Sequence, residues 1–281
     1  MDWSKAKTIL IIAFIITNIL LVYVIKVEES SSEPTLTDEF IEDVVELLKD
    51  KNIYIDTEIP KEIPHLNVMT VEYENISLEE LNENYFDNAG NINFNDDSLG
   101  HIEKGEQSIL LMNNRRIIYE NREDRELYKD LDRDKAIDLA EEFIRKGKFD
   151  SSDMKLTFVK EDGGVFYLEY SKVYMDTLVE RAFTNLQIDK RGVRRFERLW
   201  LKEIDIGETQ IYINTAPKSL LTLLSMEEIY GKTITDISLC YYFDPQRHEY
   251  LDEPGRAKQG NAIPAWRIQF HDGYKVYIDD Y

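Results

Sequence analysis

Hydrophobic positions follow three patterns along this chain, and each predicts a different kind of element. From Thr8 to Ile25 (TILIIAFIITNILLVYVI) eighteen residues pass without a charge. At about 1.5 Å rise per residue a helix of that length reaches about 27 Å, close to the hydrocarbon thickness of a bilayer, so a transmembrane helix is expected over 8–25. No later stretch repeats the pattern. A cleaved signal peptide would carry a shorter apolar core, roughly 7–15 residues, and a small-x-small site. Here Tyr23, Val24, Ile25 and Lys26 follow, with Ser30 to Ser32 further on, so the reading is an uncleaved anchor.

The second pattern is helical spacing. Phe40, Ile41, Val44, Leu47 and Leu48 share one face behind the capping candidates Thr35 and Thr37. Ala136, Ile137, Ala140, Phe143 and Ile144 do the same behind Asp132 or Asp134, with Gly147 placed as a C-terminal stop. A third helical run starts at Pro217 and carries Leu220, Leu221, Leu223, Leu224 and Ile229 before Gly231.

The third pattern is the short β-like run. Such runs cover Ile53 to Ile59 and Leu66 to Glu74, separated by Pro60 and Pro64. Residues 87–107, rich in Asn, Asp and Gly, predict a loop, and Ile109 to Tyr119 a hairpin around Asn113-Asn114. Further strands are expected at Lys155–Lys160, Val165–Tyr174, Thr184–Asp189, Val193–Leu201, Ile234–Phe243 and Ala265–Tyr281, the last bent at Asp272-Gly273 as a two-residue hairpin.

These elements predict an α+β class: one N-terminal transmembrane helix, then an extracytoplasmic domain of two antiparallel-sheet-plus-helix subdomains. The expected divisions are a cytoplasmic N-terminus at 1–7, the span at 8–25, a linker at 26–35, a first subdomain at 36–128 and a second at 129–281. The boundary at 128 follows from the almost wholly charged stretch 121–135. In the second subdomain a helix followed by antiparallel strands occurs twice, the pattern of two related helix-plus-hairpin units.

Charge orients the chain. Lys5 and Lys7 precede the span, while Lys26 and then Glu28, Glu29 and Glu33 follow it, which places the N-terminus in the cytoplasm and the remainder outside. The net charge is -21; residues 1–27 contribute +2, so the rest carries -23. Such a surface repels nucleic acid and anionic lipid headgroups. The single cysteine, Cys240, excludes an intramolecular disulfide and lies far from any lipoprotein signal, so the core must stabilise the domain.

Candidate chemistry is sparse. His65, His101, His248 and His271 show no metal-ligand spacing, and no nucleophile elbow, phosphate loop or dinucleotide fingerprint occurs. The cluster from Asp87 to Asp97 fails the spacing of a calcium loop. No catalytic residue, cofactor or metal is therefore expected. Two features remain. Arg181, Lys190, Arg191, Arg194, Arg195 and Arg198 form a basic stretch in an acidic domain, read either as partners for carboxylates on neighbouring strands or, for Arg191, Arg194, Arg195 and Arg198, as a docking surface for an acidic partner. Within the span, Ala13 and Thr17 form a small-x-x-x-small pair beside Asn18; an interhelical hydrogen bond there is worth about 0.6–2 kcal/mol, so these three are the candidate helix contacts.

The ends carry a resemblance. Met1, Asp2, Trp3, Lys5 and Lys7 before the span, and the C-terminal stretch AIPAWRIQFHDGYKVYIDDY with Pro264, Ala265, Trp266 and Arg267, resemble the YycI family. The C-terminal unit also resembles small PepSY-type modules. The first resemblance implies a single-pass membrane protein with a mixed α and β exterior domain shared with the C-terminal part of YycH. It further implies an accessory regulator that acts with a YycH-like anchored protein on a WalK-like sensor histidine kinase, in the WalKR (YycGF) two-component system that controls cell-wall metabolism in Gram-positive bacteria. It supplies no catalytic residues. The alternatives are a stand-alone exterior protein that binds a ligand or wall polymer, which requires an aromatic-lined pocket with converging polar groups, and a surface hydrolase, which requires carboxylates or a triad gathered in a cleft.

Overall fold

The computed structural model describes residues 7, 10–21, 34–96, 98–245 and 258–279. Residues 10–21 form helix α1. Among the described residues no helix is long and apolar enough to cross a membrane. The described part of α1 covers about 18 Å at 1.5 Å per residue, and residues 8, 9 and 22–25 of the expected span lie outside the described residues, as do residues 26–33 of the linker.

In chain order there follow α2 (Asp38–Asp50), β1 (Tyr54–Ile55), β2 (His65–Tyr73), α3 (Leu78–Phe86), β3 (Asn91–Asp96), β4 (Leu99–Lys104), β5 (Gln107–Met112), β6 (Arg116–Asn121) and α4 (Arg133–Lys146). Then come β7 (Met154–Asp162), β8 (Val165–Tyr174), β9 (Thr177–Asp189), β10 (Gly192–Leu199), β11 (Leu201–Tyr212), α5 (Ala216–Leu220), β12 (Thr233–Phe243), β13 (Gln259–Phe270) and β14 (Lys275–Ile278). The strands join one sheet in the order β11-β2-β13-β12-β9-β10-β6-β5-β4-β3, with β1 on β12, β14 on β13, and β8 carrying β7 on β9. Pairing is antiparallel except for β1 with β12 and β9 with β12.

Each half of the sheet has its own core. Helices α3 and α4 cover β4–β6 and β8–β10, burying Leu81, Phe86, Ile102, Ile109, Ala140, Leu168 and Phe196. Helices α2 and α5 cover β12–β14, burying Val44, Leu48, Leu220, Trp266, Ile268 and Phe270. A smaller cluster with Met69, Val71, Trp200, Leu201 and Phe243 joins them. The boundary expected at 128/129 does not follow this packing. The first core draws on Leu78–Tyr119 and Ala136–Phe196, and the second on Val44–Ile53 and Ile213–Ile278. The apolar stripe of α2 packs mainly against segments far along the chain, α5 among them, and Thr35 meets Thr215 at 2.6 Å.

Local chemistry explains most elements. Thr37 caps α2, accepting from the Phe40 amide at 3.3 Å, and Asp132 caps α4, accepting from the Lys135 amide at 2.9 Å. Asn113 and Asn114 both take left-handed φ (52° and 55°), as a two-residue β5–β6 hairpin requires.

Several expectations are corrected. The Asn-rich segment forms β3 and β4 rather than a loop, because Ile92 and Ile102 reach the first core and β4 pairs along β5. The run at 53–59 keeps two paired residues, Tyr54 and Ile55. Gly147 is right-handed (φ −67°) and Lys148 takes the left-handed place (φ 57°). Gly147 is needed for space, since a Cβ there would lie 2.3 Å from Phe149 Cε2 and 2.4 Å from the Tyr85 hydroxyl oxygen. The β13–β14 loop has four residues, His271 to Tyr274, with Gly273 left-handed (φ 88°). Pro264 sits where one edge of β13 changes partner, from β2 (pairing 259–262) to β14 (pairing 266–269), the kind of gap in which a strand tolerates proline.

Candidate functional site

Strand alternation places opposite chemistry on opposite faces. Trp266, Ile268 and Phe270 of β13 enter the α2/α5 core, so Ala265, Arg267 and Gln269 face away from it. Val276 and Ile278 of β14 do likewise, leaving Lys275 and Tyr277 on the far side with Asp236, Ser238, Cys240 and Tyr242 of β12. In β8, Phe166, Leu168 and Tyr170 enter the α3/α4 core, and Glu169 faces outward. Such outward faces would ordinarily meet water. Here the parallel register Leu178↔Cys240, Val179↔Tyr241 and Glu180↔Tyr242 turns the two halves of the sheet so that their polar faces meet each other.

The result is a buried charged seam. Arg267 and Glu180 are 2% and 3% exposed. Arg267 Nε lies 2.7 Å from Glu180 Oε1, an ion pair in which the N–H is not aimed at the oxygen. Arg267 Nη1 donates to Asp236 Oδ2 at 2.6 Å and Nη2 donates to Gln269 Oε1. The Tyr277 hydroxyl donates to Glu180 Oε2 at 2.8 Å, and Lys275 bridges Glu169 and Glu180, lying 3.8 Å from the latter. Tyr277 stacks on Tyr242 with ring centroids 4.6 Å apart, and Arg181, left-handed at φ 75°, donates to the Tyr242 hydroxyl at 3.2 Å. Burial, and then the Glu180 charge, push the Tyr277 phenol far above its usual range. The same two causes raise the Cys240 thiol, which leaves it an inert buried group rather than a nucleophile.

The seam opens into recesses on either side of Phe158. One, of about 530 Å³, is lined by Phe158, Leu178, Asp236, Ser238, Arg267 and Gln269 among others. The other, of about 340 Å³, lies between Phe158, Glu169, Asn185 and the Asp272-Gly273 turn. Phe158 packs so closely on Gly273 that a Cβ there would meet its ring at 2.9 Å. Glu169, Glu180 and Asp236 each face a cation, an arrangement suited to holding polar groups in place rather than to proton transfer. Among the described residues no group of three or more His, Cys, Asp and Glu is arranged to hold a metal ion.

Arg191, Arg194, Arg195 and Arg198 of the basic stretch lie elsewhere and are occupied internally. Arg191 pairs with Asp189 and, at 3.0 Å, with Asp124. Arg194 donates to the Glu123 carbonyl at 2.5 Å, and Arg195 pairs with Glu120 at 2.6 Å. Arg198 is no surface residue: 1% exposed, it donates through Nε and Nη2 to Glu74 (3.1 and 2.9 Å) and through Nη1 to Thr184 (2.9 Å), between Phe149 and Trp200. Its place in the proposed docking surface is therefore withdrawn, because the strand period turns it into the β8–β10 interior beside buried Lys172 and Asp153. Burial, the largest effect, lowers the Arg198 pKa. On α1, Thr17 Oγ1 donates to the Ala13 carbonyl at 3.0 Å and Asn18 Nδ2 to the Phe14 carbonyl at 2.8 Å, so each side chain has one bond to a carbonyl one turn back in its own helix.

The seam residues Glu180, Asp236 and Lys275 drew no attention in the sequence. Their alternation with apolar neighbours reads as a solvent face, and only the β9–β12 pairing shows that face to be covered.

No family model matches the sequence, and no curated protein matches it. Three solved structures are similar to it at low identity. A crystal structure of an uncharacterized protein from Eubacterium rectale matches with a TM-score of 0.52 at 12% identity, covering 84% of this chain and 94% of that one. YycH from Bacillus subtilis gives a TM-score of 0.49 at 11% identity, covering 79% of this chain and 55% of that one. The YpeB C-terminal domain of Bacillus megaterium gives 0.38 at 10% identity, over 73% and 93%. The first likeness establishes a shared mixed α and β fold; at such identity it assigns no chemistry.

Proposed function

We propose that this chain is a membrane-anchored accessory regulator that binds a WalK-like sensor histidine kinase together with a YycH-like anchored protein. Residues 8–25 cross the bilayer, with the N-terminus cytoplasmic and the sheet domain outside, and no catalysis or cofactor is assigned to it. The observation that carries this reading is the pair of end motifs: Met1-Asp2-Trp3 with Lys5 and Lys7 ahead of an uncharged segment, and Pro264-Ala265-Trp266-Arg267 near the other end. The bonding of Thr17 and Asn18 supports it. Polar side chains tied to carbonyls one turn back are tolerated in hydrocarbon, and among the described residues the Asn18 carboxamide oxygen has no partner, which leaves it for a neighbouring helix. A contact that differs between two kinase states would bias the signalling equilibrium.

A membrane two-hybrid assay with the kinase and the YycH-like protein of the same cell tests this. Wild type should interact, a Thr17→Leu/Asn18→Leu variant should interact less, and a chain truncated after Glu33 should retain the interaction. Loss of signal from every form, with expression verified, would refute the reading. One observation favours the second reading, an exterior ligand- or wall-binding protein: the recess at the seam, with polar groups converging beneath an aromatic wall.

A further inference from the structure

Asp236 and Gln269 stand directly opposite each other on β12 and β13. Cross-strand neighbours of this kind have Cβ atoms about 4.5–5.5 Å apart. Both are oriented by one guanidinium. Arg267 Nη1 and the Ser238 hydroxyl (2.8 Å) both donate to Asp236 Oδ2, so Oδ1 keeps its acceptor capacity. Arg267 Nη2 donates to Gln269 Oε1, which fixes the carboxamide's orientation and turns its Nε2 donor away from the guanidinium. Among the described residues neither Asp236 Oδ1 nor Gln269 Nε2 has a partner, although Gln269 is only 4% exposed and lines the recess. The floor thus presents one aligned acceptor beside one aligned donor.

The remaining surroundings define what fits. The recess of about 530 Å³ has the size of a small-ligand site. The charged residues that line it balance, Lys155 and Arg267 against Asp176 and Asp236. An ionic ligand would gain little net attraction there and would lose its hydration. Phe158 and Leu178 supply an apolar wall. The rim turn, Met175-Asp176, holds both residues left-handed (φ 44° and 67°), a costly conformation for methionine, with Met175 83% exposed beside the opening.

From this we infer that the recess binds a neutral oligosaccharide. Of two adjacent ring hydroxyls, one donates to Asp236 Oδ1 and the other accepts from Gln269 Nε2, while the C–H face of the ring rests on Phe158. The inference deepens the second reading above and is independent of the kinase interaction: the two-hybrid assay can fail while binding holds, and the reverse.

The test is isothermal titration calorimetry on the full chain, in micelles of a detergent without a sugar headgroup. The probes are chitotetraose, tetra-alanine as the peptide alternative and spermidine as the cationic one. Chitotetraose is expected to bind. Asp236→Asn and Phe158→Leu should each weaken it about tenfold, as expected for losing an aligned hydrogen bond or an apolar wall. Should Asp236→Asn fail to fold, Thr235→Trp keeps the test open. Thr235 is exposed at the rim, so tryptophan there fills the recess without disturbing the Arg267 contacts, and it should abolish binding. No heat from chitotetraose with the wild type would overturn the inference. So would binding of tetra-alanine or spermidine in its place, or unchanged chitotetraose affinity in the folded variants.

Discussion

Replacing Arg267 with methionine keeps an unbranched apolar stem and removes the charged guanidinium. In the structure this strips Glu180 of a cation 2.7 Å away and Asp236 of a donor at 2.6 Å. Asp236, about half exposed, is rehydrated at little cost. Glu180 is not, being 3% exposed, and keeps only the Tyr277 hydroxyl at 2.8 Å and Lys275 at 3.8 Å. Breaking a buried pair from one side costs about 3–5 kcal/mol, and the remaining lysine puts this case near the lower figure, about 3 kcal/mol. At about 2–4 °C per kcal/mol for a protein of this size, the melting temperature should fall by roughly 6–12 °C. Glu180→Gln alone should cost less, since Arg267 keeps Asp236. The double variant should be more stable than the sum of the single losses allows, by about 2 kcal/mol of coupling. Urea denaturation followed by the fluorescence of Trp266, whose ring lies in the adjacent core, measures all four corners of the cycle. A loss below about 1 kcal/mol for Arg267→Met, or single effects that simply add, would show that the seam is hydrated and the pair uncoupled.

Three further outcomes are expected. Gly147→Ala should lower stability by about 1–3 kcal/mol in a thermal melt, because Phe149 and Tyr85 leave no room for the methyl group; a neutral effect would contradict the packing described. Asn82→Ala removes a reciprocal pair of bonds with Gly90 (Nδ2 to O at 3.1 Å, amide N to Oδ1 at 2.9 Å), and should cost about 1–3 kcal/mol and speed amide exchange in β3; unchanged exchange would count against it. For Asp189, burial opposes ionisation, but bonds from the Arg191 side chain and amide hold the carboxyl below its usual value of 3.8. The folded pKa is depressed, so this contribution is fully present above the unfolded value and fades as pH falls through the folded one. Asp189→Asn should therefore flatten the stability profile below about pH 4, and an unaltered acid slope would exclude the assignment.

What could be read from the residues alone was what depends on neighbours along the chain. Hydrophobic spacing located α2, α4, β8 and β12, and the Asn113-Asn114 pair located a hairpin, because period and turn chemistry are local. Helix α3 was missed, although its start carries a local signal, the capping box in which Ser77 accepts from the Glu80 amide and Glu80 reaches back to the Ser77 amide; its apolar stripe is short. Strand β11 carried no such signal: it is a largely exposed edge strand paired with β2, so selection for an apolar face is weak along it. The tertiary structure alone decided which polar faces meet water. Arg191 and Arg198 belong to one basic stretch, yet one is a surface residue and the other is enclosed. Arg267 alternates with apolar residues just as a solvent-facing residue does, and it is buried against Glu180 because β9 and β12, distant in sequence, pair in parallel. Alternation assigns a side chain to a face of its strand; whether water or protein lies against that face depends on contacts between segments that no local pattern encodes.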